Sequence, residues 1–264
     1  MPELPEVETV ARSLAPLLTG RRVLSAEFRC LRVLRGDPDT AVRRIAGRKV
    51  TGIRRRGKNI LIDLDRGMCF AVHLGMTGKL LMNGAPGKHT HAILTLDRGV
   101  LVYEDSRQFG RLEVCEGMPE RLQRLGPEPL ESTLEEFTKA LRKRKTRLKT
   151  LLLDQRFLRG VGNIYADEAL FRAGIHPLTR ADKLSRPRAA RLHSAVQEVL
   201  AEAIENRGSS ISDYVDSEGR EGSFQQLHRV YQRTGEPCLV CGAPIRRTEV
   251  AQRGTHYCPK CQRR

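Results

Sequence analysis

The stretch MPERLQRLGPEPLES, residues 118–132, separates two halves of the chain with different hydrophobic periods. From about residue 22 to 115 apolar and polar residues alternate, as on half-buried strands. ILIDLDRGMCFAV and HAILTLDRGVLVY each set Asp-Arg-Gly between two such runs, which is good hairpin chemistry. A helix precedes them: Val7, Val10, Ala11, Leu14, Leu17 and Leu18 fall at helical spacing, and Gly20 ends the pattern. Beyond the stretch the period is helical. ESTLEEFTKALRKRK places acids early and bases late, in agreement with the helix dipole. SRPRAARLHSAVQEVLAEAIENRG is a second helix, ended by Gly208, and SSISDYVDSEGREGSF reads as a polar, Gly-rich loop. A single sheet or bundle is therefore excluded. The pattern predicts an α+β chain: a mainly antiparallel β domain over 1–118, a linker over 119–130, a helical domain over 131–232 and a short tail over 233–264.

The tail carries Cys238 and Cys241 in C-L-V-C, then sixteen residues, then Cys258 and Cys261 in C-P-K-C. Two CxxC knuckles at this separation match one tetrahedral zinc ion held by four thiolates, with the intervening residues forming a β-hairpin. A redox pair is the alternative, but no thioredoxin-like βαβ pattern accompanies it. Cys30, Cys69 and Cys115 are scattered in strand-like stretches and read as reduced core thiols.

The formal net charge is +16, an excess that costs self-repulsion unless it faces a polyanion. Nucleic acid is the expected partner. No apolar run of membrane-spanning length occurs, and the acidic N-terminus lacks the apolar core of a signal peptide, so the expected compartment is the cytoplasm. Nothing resembles an oligomer interface, and a monomer is expected.

LRKRKTRLKT holds six Lys and Arg between 142 and 149, by itself the mark of a solvated face. It is followed by LRGVGNIYADEALFRAG, in which Gly160 and Gly162 feed a helix that Asn163 could cap, running from Ile164 to about Ala173. Such a turn offers free backbone N–H groups to an anion. The motif is not GxxxxGK[ST], so a DNA phosphate fits better than a nucleotide, and no nucleotide cofactor is expected.

PELPEVET at the N-terminus, RRRGKNI around Lys58, HLGMTG, DSRQFG, GVGNIYADE and the four-cysteine tail with AQRGTHYC occur in one order. Together they resemble the bacterial formamidopyrimidine-DNA glycosylases over the whole chain. The resemblance implies an N-terminal β-sandwich, a helix-two-turn-helix domain and a C-terminal zinc finger. It implies base-excision repair of damaged double-stranded DNA: removal of 8-oxoguanine and formamidopyrimidines by base flipping, then β,δ-elimination at the abasic site.

It also gives meaning to the proline behind Met1. Removal of Met1 leaves Pro2 as the terminus, and a free α-amino group has a pKa of about 8 against about 10.4 for Lys. Pro2 is the implied nucleophile, forming a Schiff-base iminium with the sugar. Glu3 is the implied acid/base at the deoxyribose, while Glu6 and Glu8 read as a charge match to the helix N-terminus. Lys58, among Arg54, Arg55 and Arg56, is the implied general acid of β-elimination, its pKa expected to be lowered by those neighbours. Arg253 takes the position assigned to proton donation in δ-elimination, although a guanidinium suits phosphate neutralisation better than acid catalysis. Met76, Arg107 and Phe109 match the void-filling set; by sequence alone Met76 and Phe109 would be core residues. His89, Arg107, Lys145 and Asn163 match DNA contacts. Gln108 stands where many relatives have a second basic residue. Rival readings are a sister glycosylase for oxidised pyrimidines, disfavoured by the LPEVET start and the intact void-filling set, a non-catalytic zinc-ribbon DNA-binding protein, and an RNA-binding factor.

Overall fold

The structure is a computed structural model that describes residues 1–211 and 213–264. It divides into two compact units, one of Met1–Arg124 with Asn206–Ser223, the other of Leu125–Glu205 with Phe224–Arg264.

Unit 1 opens with α1 (Leu4–Leu18), whose Leu4, Val7, Val10, Leu14 and Leu18 are all buried. There follow β1 (Val23–Phe28), β2 (Leu34–Arg35), α2 (Pro38–Ile45), β3 (Val50–Arg56), β4 (Asn59–Leu64), β5 (Met68–His73), β6 (Lys79–Met82), β7 (Thr90–Leu96), β8 (Val100–Glu104), β9 (Arg111–Glu116) and α3 (Glu120–Gln123). One sheet has the order β1-β7-β8-β6 and the other β2-β9-β5-β4-β3. Pairing is antiparallel except between β2 and β9. Both sheets and α1 contribute to one apolar core, in which Ile60, Phe70, Leu94, Tyr103 and Leu112 meet Val10 and Leu14. The two Asp-Arg-Gly sequences are hairpin turns, as expected. In the first, the three residues between β4 and β5 turn through Arg66 and Gly67 at φ of 55° and 71°, left-handed values that glycine adopts without strain.

The acids of the first helix do more than match its dipole. Glu8 binds Arg55 of β3 at 2.6 Å and Arg12 at 2.7 Å, so the helix is tied to the strand it covers. Glu6 accepts the Glu3 N–H at 2.8 Å and the Ser209 N–H at 2.7 Å, and Tyr214 Oη donates to the Glu6 carbonyl. The polar stretch expected to be a loop is thus anchored in unit 1. Ser217 Oγ lies 2.7 Å from Ser13 Oγ, and the Ser217 carbonyl accepts from Met82 N–H. Asp216, wholly buried as a side chain, gathers Arg207 and Arg220. Ser212 in that stretch lies outside the described residues.

Unit 2 contains α4 (Leu134–Arg142), α5 (Leu148–Leu153), α6 (Asn163–Arg172), α7 (Arg186–Glu205) and a hairpin of β10 (Arg246–Val250) with β11 (Arg253–Tyr257). Thr133 caps α4, its side chain accepting the Glu136 N–H. Residues 125–132 pack against α7: Gln197 Nε2 donates to the carbonyls of Pro129 and Ser132, and His193 Nε2 to that of Ser132. Among the described residues no helix is long and apolar enough to cross a membrane.

Burial by itself raises the Glu8 carboxyl, but the Arg55 and Arg12 hydrogen bonds and charges outweigh it and hold it below its ordinary value. A depressed carboxyl contributes stability above its unfolded pKa and loses it as pH falls through the folded one. The stability difference between wild type and Glu8→Gln is therefore expected to be constant above about pH 5 and to shrink below about pH 4, as read by urea unfolding at stepped pH.

Candidate active site and zinc centre

In unit 1 the buried residues Pro2 and Glu3 stand at the start of α1, with the Glu3 N–H fixed by Glu6. Lys58, also buried, sits in the tight turn between β3 and β4, where Gly57 has φ of 59°. Asn59 Nδ2 donates to the Arg56 carbonyl across that turn, and α3 braces it: Arg121 donates to Asn59 Oδ1 at 3.0 Å and Arg56 to the Leu122 carbonyl. The arginine company expected around Lys58 is largely committed elsewhere. Arg54 forms a two-bond pair with Asp63, and Arg55 is bound to Glu8.

His73, paired with Asn59 across β4 and β5, escaped the sequence reading although it opens HLGMTG. Burial, then the charges of Lys58, Arg121 and Arg111, lower its pKa to about 4. It is neutral at physiological pH. Its Nδ1 accepts the Gly75 N–H, so Nε2 carries the proton and is a donor beside the lysine turn.

Met76 and Phe109 are not core residues. They are 38% and 54% exposed, and the Arg107 guanidinium lies 4.8 Å from the Phe109 ring centre. Two loops bring them together, joined by the fully buried Asp105. Its carboxylate accepts Thr77 Oγ1 at 2.5 Å, Tyr103 Oη at 3.2 Å and the Gly110 N–H at 2.7 Å. The approach is close enough to require glycine. A Cβ on Gly75 would lie 2.5 Å from Gly110 N, and one on Gly110 would lie 1.7 Å from Tyr103 Oη. His89 is exposed; its neighbour His91 is buried and donates to the Asp105 carbonyl at 2.8 Å.

In unit 2 Lys145 is exposed on the basic run, but Lys149 of the same run is wholly buried and pairs with Asp167 at 2.6 Å. Asn163 does not cap α6. Gly162 holds the cap position, and Asn163 Nδ2 donates to the Gly254 carbonyl of the zinc hairpin at 2.9 Å. The hairpin turns through Ala251 and Gln252 at φ of 51° and 57°, and the exposed Arg253 follows immediately.

The four cysteine sulfurs lie within 4.8 Å of one another, with Cys241 and Cys258 at 3.5 Å and Cys238 and Cys261 at 3.9 Å. A tetrahedron with Zn–S bonds of about 2.3 Å has edges of about 3.8 Å, so the donor set fits. The Ala243 N–H and the neighbouring thiols draw Cys241 down to about 7, whereas burial and the same crowding of sulfurs push Cys258 and Cys261 up, so that four thiolates this close need a cation among them. Cys238, Cys241, Cys258 and Cys261 hold a structural zinc ion, which supplies charge and cross-linking to a segment with a small core of Phe171, Val230 and Ile245.

A β-sandwich with a buried first turn, together with a helix pair and a four-thiolate zinc hairpin, defines a zinc-finger protein of the helix-two-turn-helix class. Three domain families match in sequence: the formamidopyrimidine-DNA glycosylase N-terminal domain over 1–112, its H2TH domain over 125–215, and the zinc finger found in FPG and IleRS over 235–264. The chain is 62% identical to the formamidopyrimidine-DNA glycosylase of Solibacter usitatus over the full length of both, and 46% identical to that of Heliobacterium modesticaldum, again over both whole chains. Among solved structures, the MutM (Fpg) protein of Thermus thermophilus aligns with a TM-score of 0.90 at 44% identity, covering 99% of this chain and 98% of that one. A Lactococcus lactis Fpg variant in complex with Fapy-dG-containing DNA aligns with a TM-score of 0.93 at 36% identity over both whole chains. The chain belongs to the formamidopyrimidine-DNA glycosylase family.

Gly110→Ala is expected to cost about 3 kcal/mol, because Tyr103 and Asp105 must separate to admit the methyl group; thermal unfolding measures it. Cys258→Ser is expected to abolish zinc binding, read by metal analysis, and to weaken duplex binding through loss of the ordered hairpin.

Proposed function

We propose that the chain is a bifunctional base-excision repair enzyme, a DNA glycosylase and abasic-site lyase acting on oxidised purines in duplex DNA. The observation that carries this is the family match over the whole chain, with Pro2, Glu3 and Lys58 present together and buried in unit 1. The Lactococcus lactis relatives bound to Fapy-dG-containing and abasic-site-containing DNA support the substrate class.

With Met1 removed, the Pro2 nitrogen attacks C1′ of the flipped lesion nucleotide. The N–C1′ bond forms, the glycosidic bond breaks, and the departing base leaves with the electron pair and takes up a proton. Glu3 delivers a proton to the ring oxygen as the sugar opens, leaving an iminium between Pro2 and C1′. The iminium accepts the electron pair when C2′ loses a proton, and the 3′ phosphate departs as its C–O bond breaks. Lys58 serves this β-elimination as general acid. A second elimination releases the 5′ phosphate, and water then frees the sugar fragment and restores Pro2. Met76, Arg107 and Phe109 fill the space left by the flipped nucleotide: Met76 and Phe109 stack, and Arg107 hydrogen-bonds the orphaned cytosine. His89, Lys145, Asn163 and Arg253 hold phosphates, and the neutral His73 adds a donor near Lys58. Arg253 acts by neutralising charge, since a guanidinium stays protonated. On this reading the chain works as a monomer in the cytoplasm, at the nucleoid.

The test is an end-labelled duplex with one 8-oxoguanine opposite cytosine, incubated with protein whose N-terminus is confirmed as Pro2 by mass. The expected product is a gap with phosphate on both flanks, with a covalent complex trapped by borohydride. Pro2→Gly is expected to reduce trapping, and Glu3→Gln to suppress base release more than nicking of a preformed abasic site. An uncut strand under saturating protein, with an oxidised-pyrimidine duplex cut instead, overturns the purine assignment.

A further inference from the structure

The buried carboxylate of Asp167 has no part in the chemistry above, yet it joins three elements of unit 2. Its Oδ1 pairs with Lys149 Nζ of α5 at 2.6 Å, both side chains being fully buried. Its Oδ2 accepts the His256 N–H of β11 at 2.9 Å and His256 Nδ1 at 3.1 Å. The same Lys149 ammonium donates to the Asn163 carbonyl at the first residue of α6. Asn163 returns to the hairpin through Nδ2 and the Gly254 carbonyl. The circuit closes: α5 to α6 through Lys149, α6 to β11 through Asp167, β11 back to the start of α6 through Asn163. The His256 ring is further packed edge-on against Tyr231, with centres 5.0 Å apart.

We infer that Asp167 is a positioning residue for DNA binding: with His256 it locks the zinc hairpin onto the start of α6, so that Asn163 and Arg253 meet the phosphate backbone as one rigid group. The inference rests on the function proposed above. Zinc orders the knuckles but does not fix the direction of the hairpin. That direction needs contacts beyond the metal, and Asp167 supplies two to His256 alone. Asn163 has two amide hydrogens, and the Gly254 carbonyl takes one. The other keeps its aim at a phosphate only while the hairpin stays in register. The structural alternative is that Asp167 merely neutralises a buried lysine. The two roles separate, because the lysine can be removed with the acid.

The experiment uses full-length zinc-loaded protein and a duplex containing a tetrahydrofuran abasic analogue. Lys149→Met with Asp167→Asn removes the buried charge pair, so stability is kept while the tether to His256 is weakened. This variant is expected to hold one zinc per chain, to bind about tenfold more weakly, and to show a salt slope of binding reduced by about one. On an 8-oxoguanine duplex KM is expected to rise while kcat at saturation stays at the wild-type level. His256→Phe, which keeps the ring packing and the Lys149–Asp167 pair, is expected to shift binding in the same direction by less. Folded, zinc-loaded variants with wild-type affinity and salt slope overturn the positioning role, as does a fall in kcat with KM unchanged. Wild-type protein that leaves lesion duplexes uncut overturns the proposed function instead, a result read in the same assay.

Discussion

The proposed mechanism needs a terminus that is held still, and the first helix holds Pro2 and Glu3 buried at its start. Leu4, Val7, Val10, Leu14 and Leu18 bury the apolar face of α1 in the core shared by both sheets. Its acids fasten the polar side: Glu8 to Arg55 on β3, Glu6 to the Glu3 N–H and to Ser209. Fixing residues at a chain end costs conformational entropy of about 1–2 kcal/mol each, and apolar burial on one face with ion pairing on the other offsets it. The strands that α1 covers lead into the lysine turn, so the anchoring that orders Pro2 also orders its surroundings.

The same logic recurs around Asp105. Exposed Met76 and Phe109 are poorly solvated, and a flexible loop would fold them away from water. The buried carboxylate prevents this by accepting several donors from two loops, while Gly75 and Gly110 let the loops touch. Rigidity of this kind is what the proposed insertion of Met76 and Phe109 between stacked bases requires. Each unit thus keeps a polar organiser buried, Asp105 in one and Asp167 in the other, beside exposed side chains: Met76, Arg107 and Phe109 in the first, Arg253 in the second. A buried carboxylate that accepts several hydrogen bonds resists rearrangement, because any lost partner leaves an unmatched charge in a low-dielectric setting.

Much of the fold was legible in the chain. Helix α1, the two Asp-Arg-Gly hairpins, α4, α7 and the thiolate cluster all follow from local periods and short spacings. The motifs that carry the family likeness also located Pro2, Glu3 and Lys58. Other residues were misjudged for reasons of distance. Lys149 looked like one more solvated base in a run of six, and its burial depends on Asp167, eighteen positions on. Asn163 had the composition of a helix cap, but its side chain turns to Gly254, ninety-one positions away. His73 was passed over because nothing in its neighbours announces a buried, neutral imidazole.

By itself the sequence determined the α+β division, the zinc ligands and the presence of a proline directly behind Met1. Those depend on periodicity and on spacings of a few residues, which the chain carries locally. Tertiary structure alone decided which charges are buried and which side chains share a site. It placed Ser209 on Glu6 across 203 positions, returned Asn206–Ser223 to the first unit, and exposed Met76 and Phe109 where apolarity suggested a core. Burial and hydrogen bonding are properties of the folded surroundings, and the same lysine or methionine reads identically in a sequence whether those surroundings are water, protein or another carboxylate.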